Sequence, residues 1–215
     1  MENLFNKRKV YNKFQLLESE IESFPIDLFH RWMQEAEADE RINEANAMAI
    51  STVEADGCPR TRMVLLKAYS EEGFIFYTNY LSRKGKALSE NPKICLHFFW
   101  PSQERQIIIK ALVERTSSEN SDLYFHSRPH GSQLGALVSR QSSEIPNRDY
   151  LEEKLHQLEK EYEGKTIPRP EYWGGYNAKP YEIEFWQGRP NRLHDRILYS
   201  KSENDENWKI ARLSP

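Results

Sequence analysis

The sequence is poor in cysteine and contains no long hydrophobic run. Its two cysteines, Cys58 and Cys95, lie far apart and in no CxxC spacing, which predicts neither a disulfide framework nor a zinc site. A reducing cytoplasm is therefore the expected location. The absence of a long apolar run argues against a transmembrane helix. Residues 1–15 lack the apolar core of a secretory signal, so none is expected.

The sequence also lacks an excess of one charge and several familiar motifs. Its 30 basic and 33 acidic residues give a net charge of −3, which argues against a broad nucleic-acid-binding face. No GxGxxG, GxxxxGK[ST] or GxSxG pattern occurs, so the Rossmann site, the P-loop and the nucleophile elbow are excluded. No histidine or cysteine spacing fits a metal. The basic clusters are therefore local, and local clusters suit small anions such as phosphates.

What the chain does contain is β-structure. Alternating apolar and polar residues, bounded by turn signals such as Asp56-Gly57, predict seven or eight mostly antiparallel strands. The predicted strands are 47–53, 59–69, 74–79, 93–100, 104–115, 181–187, 196–201 and 208–213. Short strands at such regular spacing favour a barrel over a sandwich. Two prolines and a glycine pair between 168 and 175 predict a linker before the last strands.

The rest of the chain predicts α-helical insertions, so the expected fold class is mainly β with helices. A helix follows Pro25, and the main helical insertion lies near 118–165. The apolar stripe of the first helix consists of Leu28, Phe29, Trp32, Met33 and Ala36. Residues 23–215 are expected to form a single domain. Residues 1–22 form an N-terminal arm, for which a frayed tail is favoured over a segment that closes over a site.

A short basic helix is predicted directly after the third strand. Ser82 fits its N-cap, and Arg83 and Lys84 fall in the first turn. Positive side chains there oppose the helix dipole, a conflict that a bound phosphate would remove. An anion pocket and an exposed basic turn are equally supported by this pattern.

Arg62 and Lys67 are basic residues five positions apart in one predicted strand. An unbroken strand would send them to opposite faces. Both can serve one ligand only if a bulge intervenes, or if the ligand wraps the edge or end of the strand.

The segment from Ile183 to Arg196 begins as an alternating strand and breaks at Gly188 and Pro190. If the backbone is extended again beyond Pro190, Arg192, His194 and Arg196 share one face, and Leu193 points into the packing. Such a face suits an anion, although the pattern alone favours a solvated hairpin edge. The chain also supplies Arg, Lys, Ser, Gln and Tyr at strand ends without clustered carboxylates. That set of side chains fits phosphorylated aromatic ligands, with a bound cofactor as the electron carrier.

The same segment resembles the C-terminal signature of the pyridoxamine 5′-phosphate oxidases. That signature reads aliphatic, Glu, aromatic, Trp, Gln, four spacers, Arg, aliphatic, His, Asp, Arg, and every fixed position is filled here. The resemblance covers most of the chain after residue 25, whereas the first residues match only in Arg8 and Tyr11. It also includes the segments 62–67, 77–78, 82–84, 104–106, 124–129, 139–143 and 173–175.

The resemblance implies an FMN-binding split β-barrel that forms a homodimer with FMN at the subunit interface. Members of this family oxidise pyridoxamine 5′-phosphate or pyridoxine 5′-phosphate to pyridoxal 5′-phosphate in vitamin B6 biosynthesis and salvage. Molecular oxygen (O2) is the electron acceptor and H2O2 is released. The implied protein is thus a cytoplasmic flavoprotein oxidoreductase without metal, nucleic-acid or membrane partners.

The resemblance also implies residue roles. The expected FMN-binding residues are Arg62, Lys67, Tyr77, Thr78, Arg83, Lys84, Gln106, Gln141, Ser142, Trp186 and Arg196. The expected substrate-binding residues are Lys67, Tyr124, Arg128, Ser132, Arg192 and His194, with Arg8 and Tyr11 as a lid. Arg192 and His194 are the expected catalytic residues.

Within these sets, Arg83, Lys84 and Ser142 suit the flavin phosphate, and Tyr124, Arg128 and Ser132 suit the substrate phosphate. Arg196 or Lys67 is the cation expected to balance the charge of the reduced flavin. Arg192 and His194 would orient the substrate, and His194 is considered as a proton acceptor.

Other residues are interpreted more simply. Lys9 and Lys86 are taken as solvated charges, and His126 as structural. Two rival functions remain: another FMN-dependent oxidoreductase such as a flavin reductase, and a non-catalytic binder of vitamin B6 phosphates.

Overall fold

The computed structural model describes residues 2–202, 205 and 207–215, and its central feature is one antiparallel sheet. The strands are β1 (Ala47–Val53), β2 (Pro59–Leu65), β3 (Ala68–Ser70), β4 (Gly73–Asn79), β5 (Lys93–Trp100), β6 (Arg105–Arg115), β7 (Trp173–Gln187), β8 (Asp195–Ser200) and β9 (Lys209–Arg212). The α-helices are α1 (Pro25–Glu37), α2 (Arg83–Glu90), α3 (Ser118–Ser127), α4 (His130–Val138) and α5 (Asp149–Glu161). The strand order is β2-β1-β5-β6-β7-β4-β3, with β8 on β7 and β9 on β8.

The long strand β7 divides the sheet. It pairs with β6 along one edge. Its other edge pairs with β4 through residues 173–178 and with β8 through residues 182–187. The sheet therefore separates on that side of β7 into two parts, one ending in β3 and the other in β9.

The first and last strands of the main order, β2 and β3, are joined by only Leu66 and Lys67. The Leu66 N–H donates to the carbonyl of Asn46, next to β1, at 2.9 Å, and the Lys67 N–H donates to Ile75 in β4 at 2.8 Å. The backbone thus changes its partner strand within one residue. The sheet must curl until its two ends meet, which confirms the barrel.

The prediction of one strand over 59–69 was wrong for the same reason. The strand ends at Leu65, and Lys67 lies in the crossing between β2 and β3. The alternation rule holds only within a continuous strand, so it does not separate Arg62 from Lys67. The alternative in which a ligand meets the end of the strand fits this geometry.

Helix α1 supplies one side of the main core. Its predicted stripe is confirmed, since Leu28, Phe29, Trp32, Met33 and Ala36 are all buried. The ring of Phe29 packs edge-on against Phe74 and Phe98, at centroid distances of 5.0 and 5.3 Å. These contacts fix α1 inside the curl of the sheet, where burial of each large side chain contributes about 1.5–3 kcal/mol.

A second, smaller core holds the helical insertion against the barrel. Phe125 of α3, Leu134 of α4, Ile167 and Trp173 are buried in it. The predicted linker at 168–175 was wrong in its last residues, because β7 already begins at Trp173. Gly174 and Gly175 lie inside this strand, at positions where neighbouring groups leave no room for a side chain. A Cβ on Gly174 would lie 2.2 Å from the Tyr80 hydroxyl. In the part of the chain that the structure describes, no helix is long and apolar enough to cross a bilayer.

Candidate active site

The N-terminus of α2 presents a capped first turn to a cavity. The predicted N-cap is confirmed: the Ser82 hydroxyl accepts a hydrogen bond from the Gly85 N–H at 3.2 Å and donates to the Asn79 carbonyl at 2.7 Å. Gly85 is required here because a Cβ would lie 2.1 Å from the Tyr80 carbonyl oxygen. This close packing fixes the first turn of α2, which carries Arg83 and Lys84.

Lys84 is a buried cation in this turn. Its ammonium donates to the Thr78 hydroxyl and to the Gln141 side-chain oxygen, both at 2.9 Å. These acceptors are neutral. Burial and the nearby Arg62 lower the pKa of Lys84 to about 8. An anion bound beside Lys84 would reverse part of that shift.

Arg62 and Arg128 each carry a buried donor that has no partner in the part of the chain that the structure describes. Arg62 donates through Nη1 to Thr52 at 2.9 Å, and its buried Nη2 has no partner among the described residues. Arg128 donates through Nη2 to the Ser132 carbonyl at 2.7 Å, and its buried Nη1 is likewise without a described partner. Burial lowers the pKa of both guanidiniums. Buried donors of this kind are expected to bind a ligand or ordered water.

These groups surround one open cavity of about 740 Å³. Its lining contains Arg60, Arg62, Met63, Val64, Leu65, Lys67, Tyr77, Thr78, Asn79, Arg83, Lys84, Tyr124, Arg128, Ser132, Gly135, Ala136, Ser139, Gln141, Ser142 and Trp173. Six of these residues are basic, and no acidic residue is among them. The cavity is thus strongly cationic and large enough for a ring-bearing ligand.

An aromatic stack forms the wall between the barrel and the insertion. The ring centroids of Tyr77 and Tyr124 are 3.9 Å apart, and those of Tyr77 and Trp173 are 5.6 Å apart. The Arg128 guanidinium lies over the Trp173 ring at 4.5 Å. Arg128 directly follows α3, and Ser132 is in the first turn of α4, so the stack holds the three residues Tyr124, Arg128 and Ser132 at one end of the cavity.

The Arg192 region lies outside this cavity and is not extended. Pro190–Arg192 form a 3-10 turn, with φ of 58° at Asn191 and 63° at Arg192, so the prediction of a shared strand face for Arg192, His194 and Arg196 was wrong. The left-handed turn precedes β8, which begins only at Asp195. Leu193 was also predicted incorrectly, because its side chain is 69% exposed.

His194 is held by the backbone of the same turn. Its Nδ1 accepts a hydrogen bond from the Arg189 N–H at 3.0 Å, so the neutral ring carries its proton on Nε2. Burial lowers the pKa of His194, and the positive charge of the nearby Arg192 lowers it further, to a smaller extent. The ring lies 4.7 Å from Trp186 and 5.8 Å from Tyr11.

A row of side chains crosses the sheet beside His194. Phe99, Gln106, Trp186 and Arg196 are direct cross-strand neighbours on β5, β6, β7 and β8, so they share one face. Arg196 forms a bidentate ion pair with Glu184, at 2.8 and 3.0 Å, which raises the pKa of the guanidinium. The expectation that no carboxylate accompanies these cations was therefore wrong for Arg196.

The predicted site residues thus form two groups within one chain. The cavity group contains Arg62, Lys67, Tyr77, Thr78, Arg83, Lys84, Tyr124, Arg128, Ser132, Gln141 and Ser142. The second group contains Tyr11, Gln106, Trp186, Arg192, His194 and Arg196, and Arg8 is exposed on the arm beside it. The cavity lining also includes Arg60, Ser139 and Trp173, which were not among the predicted binding residues.

Comparisons with known proteins agree along the whole chain. Residues 34–161 match the family model of pyridoxamine 5′-phosphate oxidase, and residues 173–215 match that of the pyridoxine 5′-phosphate oxidase C-terminal dimerisation region. The pyridoxine/pyridoxamine 5′-phosphate oxidase of Flavobacterium johnsoniae is 58% identical over 214 residues, covering 100% of both chains. A chloroplastic enzyme of the same name from Arabidopsis thaliana is 49% identical over 94% of this chain and 38% of its own.

Solved structures show the same fold. PhzG from Burkholderia lata, crystallised with tetrahydrophenazine-1-carboxylic acid, is 29% identical with a TM-score of 0.86, covering 95% of this chain and 100% of that one. A related FMN-binding protein from Nostoc punctiforme, 14% identical, has a TM-score of 0.69 over 91% of this chain and all of its own, and confirms the split-barrel fold alone. The identity and coverage of the curated relatives show that this chain belongs to the pyridoxine/pyridoxamine 5′-phosphate oxidase family.

Proposed function

We propose that this chain oxidises pyridoxine 5′-phosphate and pyridoxamine 5′-phosphate to pyridoxal 5′-phosphate, with FMN as cofactor and O2 as acceptor. One observation carries the proposal: among the described residues, six basic and no acidic side chains line a cavity in which Arg62 and Arg128 each keep a donor without a partner. Anionic ligands balance such a cavity, and the names of the closely similar relatives indicate which anions. The same proposal includes a cytoplasmic location, consistent with the free cysteines Cys58 and Cys95.

The residues fit two phosphates at separate places. Arg83, Lys84 and Ser142 would hold the FMN phosphate at the N-terminus of α2, where backbone N–H groups and the helix dipole also favour an anion. Tyr124, Arg128 and Ser132 would hold the substrate phosphate at the other end of the aromatic stack. FMN held there would supply the redox chemistry: the two electrons and two protons removed from the substrate would end on O2 as H2O2.

The second group of residues would reach the cavity from a second copy of the chain. Arg192 and His194 lie outside the cavity of their own chain but within residues 173–215, the segment that matches a dimerisation region. Met63 at the cavity and Leu193 in the turn are apolar and 64% and 69% exposed, as expected of surfaces that a partner covers. In this proposal Trp186 and Gln106 of the second copy would help to hold the FMN.

Within that arrangement, Arg192 and His194 orient the substrate. Because the Arg189 N–H occupies Nδ1, the Nε2–H of neutral His194 is a hydrogen-bond donor. This favours a role in positioning the substrate over a role as proton acceptor. Lys67 is the better-suited cation for the charge of the reduced cofactor, because Glu184 already neutralises Arg196.

Anaerobic mixing of the FMN-loaded protein with pyridoxamine 5′-phosphate tests the proposal. Loss of the flavin absorbance, followed by H2O2 release when air is admitted, is the expected result. Peroxide formed with NADH alone would indicate a flavin reductase. A protein that remains colourless when FMN is added would instead indicate a non-catalytic binder of vitamin B6 phosphates.

A further inference from the structure

Glu104 is a buried carboxylate that the proposed reaction does not use. It lies in the turn between β5 and β6, is 1% exposed, and has a left-handed backbone with φ of 58°. Burying a carboxylate costs free energy unless hydrogen bonds or an opposite charge compensate it. A strained, buried charge is therefore expected to have a role that its contacts reveal.

The contacts of the Glu104 carboxylate all lead to the N-terminal arm. Its Oε2 accepts hydrogen bonds from the backbone N–H groups of Asn12 at 2.9 Å and Lys13 at 3.1 Å. Its Oε1 lies 3.5 Å from the Lys9 ammonium and has no hydrogen-bond partner among the described residues. The Lys9 side chain is 57% exposed, in agreement with its interpretation as a solvated charge, and it adds a weak ion pair to the buried carboxylate. The carboxylate thus binds the arm on both sides of Tyr11.

Tyr11 belongs to the arm and contacts two other members of the second group of site residues. Its ring meets Trp186 and His194 edge-on, each at a centroid distance of 5.8 Å. Gly188 lies directly beneath the ring, and a Cβ there would be 2.8 Å from Tyr11 Cγ. The ring is therefore seated in a fixed place rather than resting on an open surface.

The backbone of Glu104 binds the segment against which the Tyr11 ring packs. Its carbonyl accepts hydrogen bonds from the Gly188 N–H at 2.8 Å and from the Gln187 side chain at 3.1 Å. Glu104 thus binds the arm with its side chain. With its backbone it binds the end of β7, the strand that carries Trp186. A shift of Glu104 would change the distance between Tyr11 and the Trp186–His194 pair.

We propose that Glu104 is a positioning residue that holds Tyr11 against Trp186 and His194 and so keeps the arm closed over the substrate site. The expected effect on catalysis rests on the proposed function. The closure of the arm does not depend on that function. Both N–H groups donate to the same carboxylate oxygen, so a glutamine oxygen can replace it. Alanine cannot, and it leaves two backbone donors without a partner.

Limited trypsin digestion of the FMN-loaded protein tests the closure directly. Lys7, Arg8, Lys9 and Lys13 are cleavage sites within the arm. With Glu104→Ala, cleavage in the arm should become faster by about tenfold, because local opening is more populated. Glu104→Gln should cleave within about twofold of the wild-type rate. Glu20→Ala is the matched control, since this carboxylate belongs to the same segment and its hydrogen bonds, among the described residues, come from Gln15 and Leu17.

A variant on the arm keeps the test valid if Glu104→Ala does not fold. Asn12→Pro removes one N–H donor without touching the buried turn, and Asn12→Ala retains that donor. Arm cleavage should accelerate with proline and not with alanine. Wild-type cleavage rates in both Glu104→Ala and Asn12→Pro would overturn the proposal.

The catalytic consequence is tested by a double-mutant cycle with Tyr11→Ala. Glu104→Ala should lower kcat/KM for pyridoxine 5′-phosphate in the wild-type background and have no further effect once Tyr11 is removed. An equal loss in both backgrounds would show that Glu104 acts independently of the arm and would overturn its positioning role. If the wild-type protein forms no peroxide at all, the proposed function fails, whereas the digestion result still decides the closure.

Discussion

The ammonium group of Lys84 lies in the cavity and donates its hydrogen bonds to neutral oxygens. Thr78 and Gln141 accept its hydrogen bonds, and Arg62 adds repulsion. The folded chain therefore favours the neutral amine more than the unfolded chain does. An anion beside Lys84 would restore the charged form, so binding of a phosphate takes up a proton whenever the amine is neutral beforehand.

This linkage predicts that FMN binding weakens as the pH rises through about 8, the pKa of Lys84 in the ligand-free protein. The dissociation constant should rise by up to about tenfold per pH unit above that value, because the phosphate itself is already a dianion. Fluorescence titration of the apoprotein with FMN between pH 7 and 9.5 measures it. Lys84→Met is the control and should bind FMN more weakly at pH 7 but with a flat profile. A flat wild-type profile would contradict the assignment of Lys84 to the phosphate.

The stability of the ligand-free protein should change in the opposite direction. Lys84 has a folded-state pKa of about 8, below its ordinary value of 10.5. Between these two values the unfolded chain binds more protons, so the contribution of Lys84 to the free energy of unfolding rises with pH. Weaker FMN binding above pH 8 would therefore not be a result of unfolding at this group.

Arg192 is expected to act on turnover and not on cofactor retention. It is exposed in the left-handed turn, outside the cavity that holds Lys84 and Ser142. Arg192→Ala should lower kcat/KM for pyridoxine 5′-phosphate by about 10- to 100-fold, the value of one charge-assisted hydrogen bond. The FMN dissociation constant should stay unchanged. A variant that loses flavin yet turns over normally once reconstituted would show that the two groups of residues were divided wrongly.

At the scale of secondary-structure elements, local rules worked where the pattern repeats and failed where tertiary contacts decide. The stripe of α1 and the Ser82 cap were predictable because period and capping chemistry depend on neighbouring residues. The break at Leu66 was not, because it arises from closing the sheet on itself. The positive φ of Arg192 was also hidden, since arginine has no preference for that conformation.

The glycine pair of β7 shows the same limit in another form. A Gly-Gly pair usually indicates a turn or linker, whereas here it marks close approach of side chains to the strand. A Cβ at Gly174 would lie 2.2 Å from the Tyr80 hydroxyl and 2.9 Å from the Ser121 hydroxyl. These two groups attach the strand to the segment before α2 and to α3. Gly174 is therefore important for the position of the helical insertion relative to the barrel.

Gly174→Ala should destabilise the protein by about 1–3 kcal/mol, the usual cost of overpacking a buried position. The free energy of unfolding would be measured by urea denaturation at one fixed protomer concentration, because dimerisation contributes to apparent stability. Gly131→Ala is the control: it lies in α4, a Cβ there meets nothing within 4 Å, and alanine is the better helix former. Equal stability of the two variants would show that the strand adjusts without cost.

At the scale of the whole molecule, the barrel separates the two groups of site residues onto different parts of one chain. Tyr124, Arg128 and Ser132 line the cavity, whereas Arg192 and His194 lie in a turn that the cavity does not include. Sequence motifs show which residues belong together chemically but not which copy of the chain supplies them. That information depends on symmetry, because a twofold interface brings the same two surfaces together twice.

Complementation between inactive variants follows from this arrangement. Arg128→Ala and Arg192→Ala each remove one group from both sites of their own homodimer. If every site takes Arg128 from one chain and Arg192 from the other, an exchanged heterodimer contains one site with both arginines and one site with neither. Equal amounts mixed and allowed to exchange subunits should thus recover about a quarter of the wild-type sites, since half of the dimers are mixed. Peroxide release before and after exchange, with each variant incubated alone as control, measures the recovery. No recovery, with heterodimers confirmed by mass spectrometry of differently tagged chains, would place both arginines of a site in the same chain.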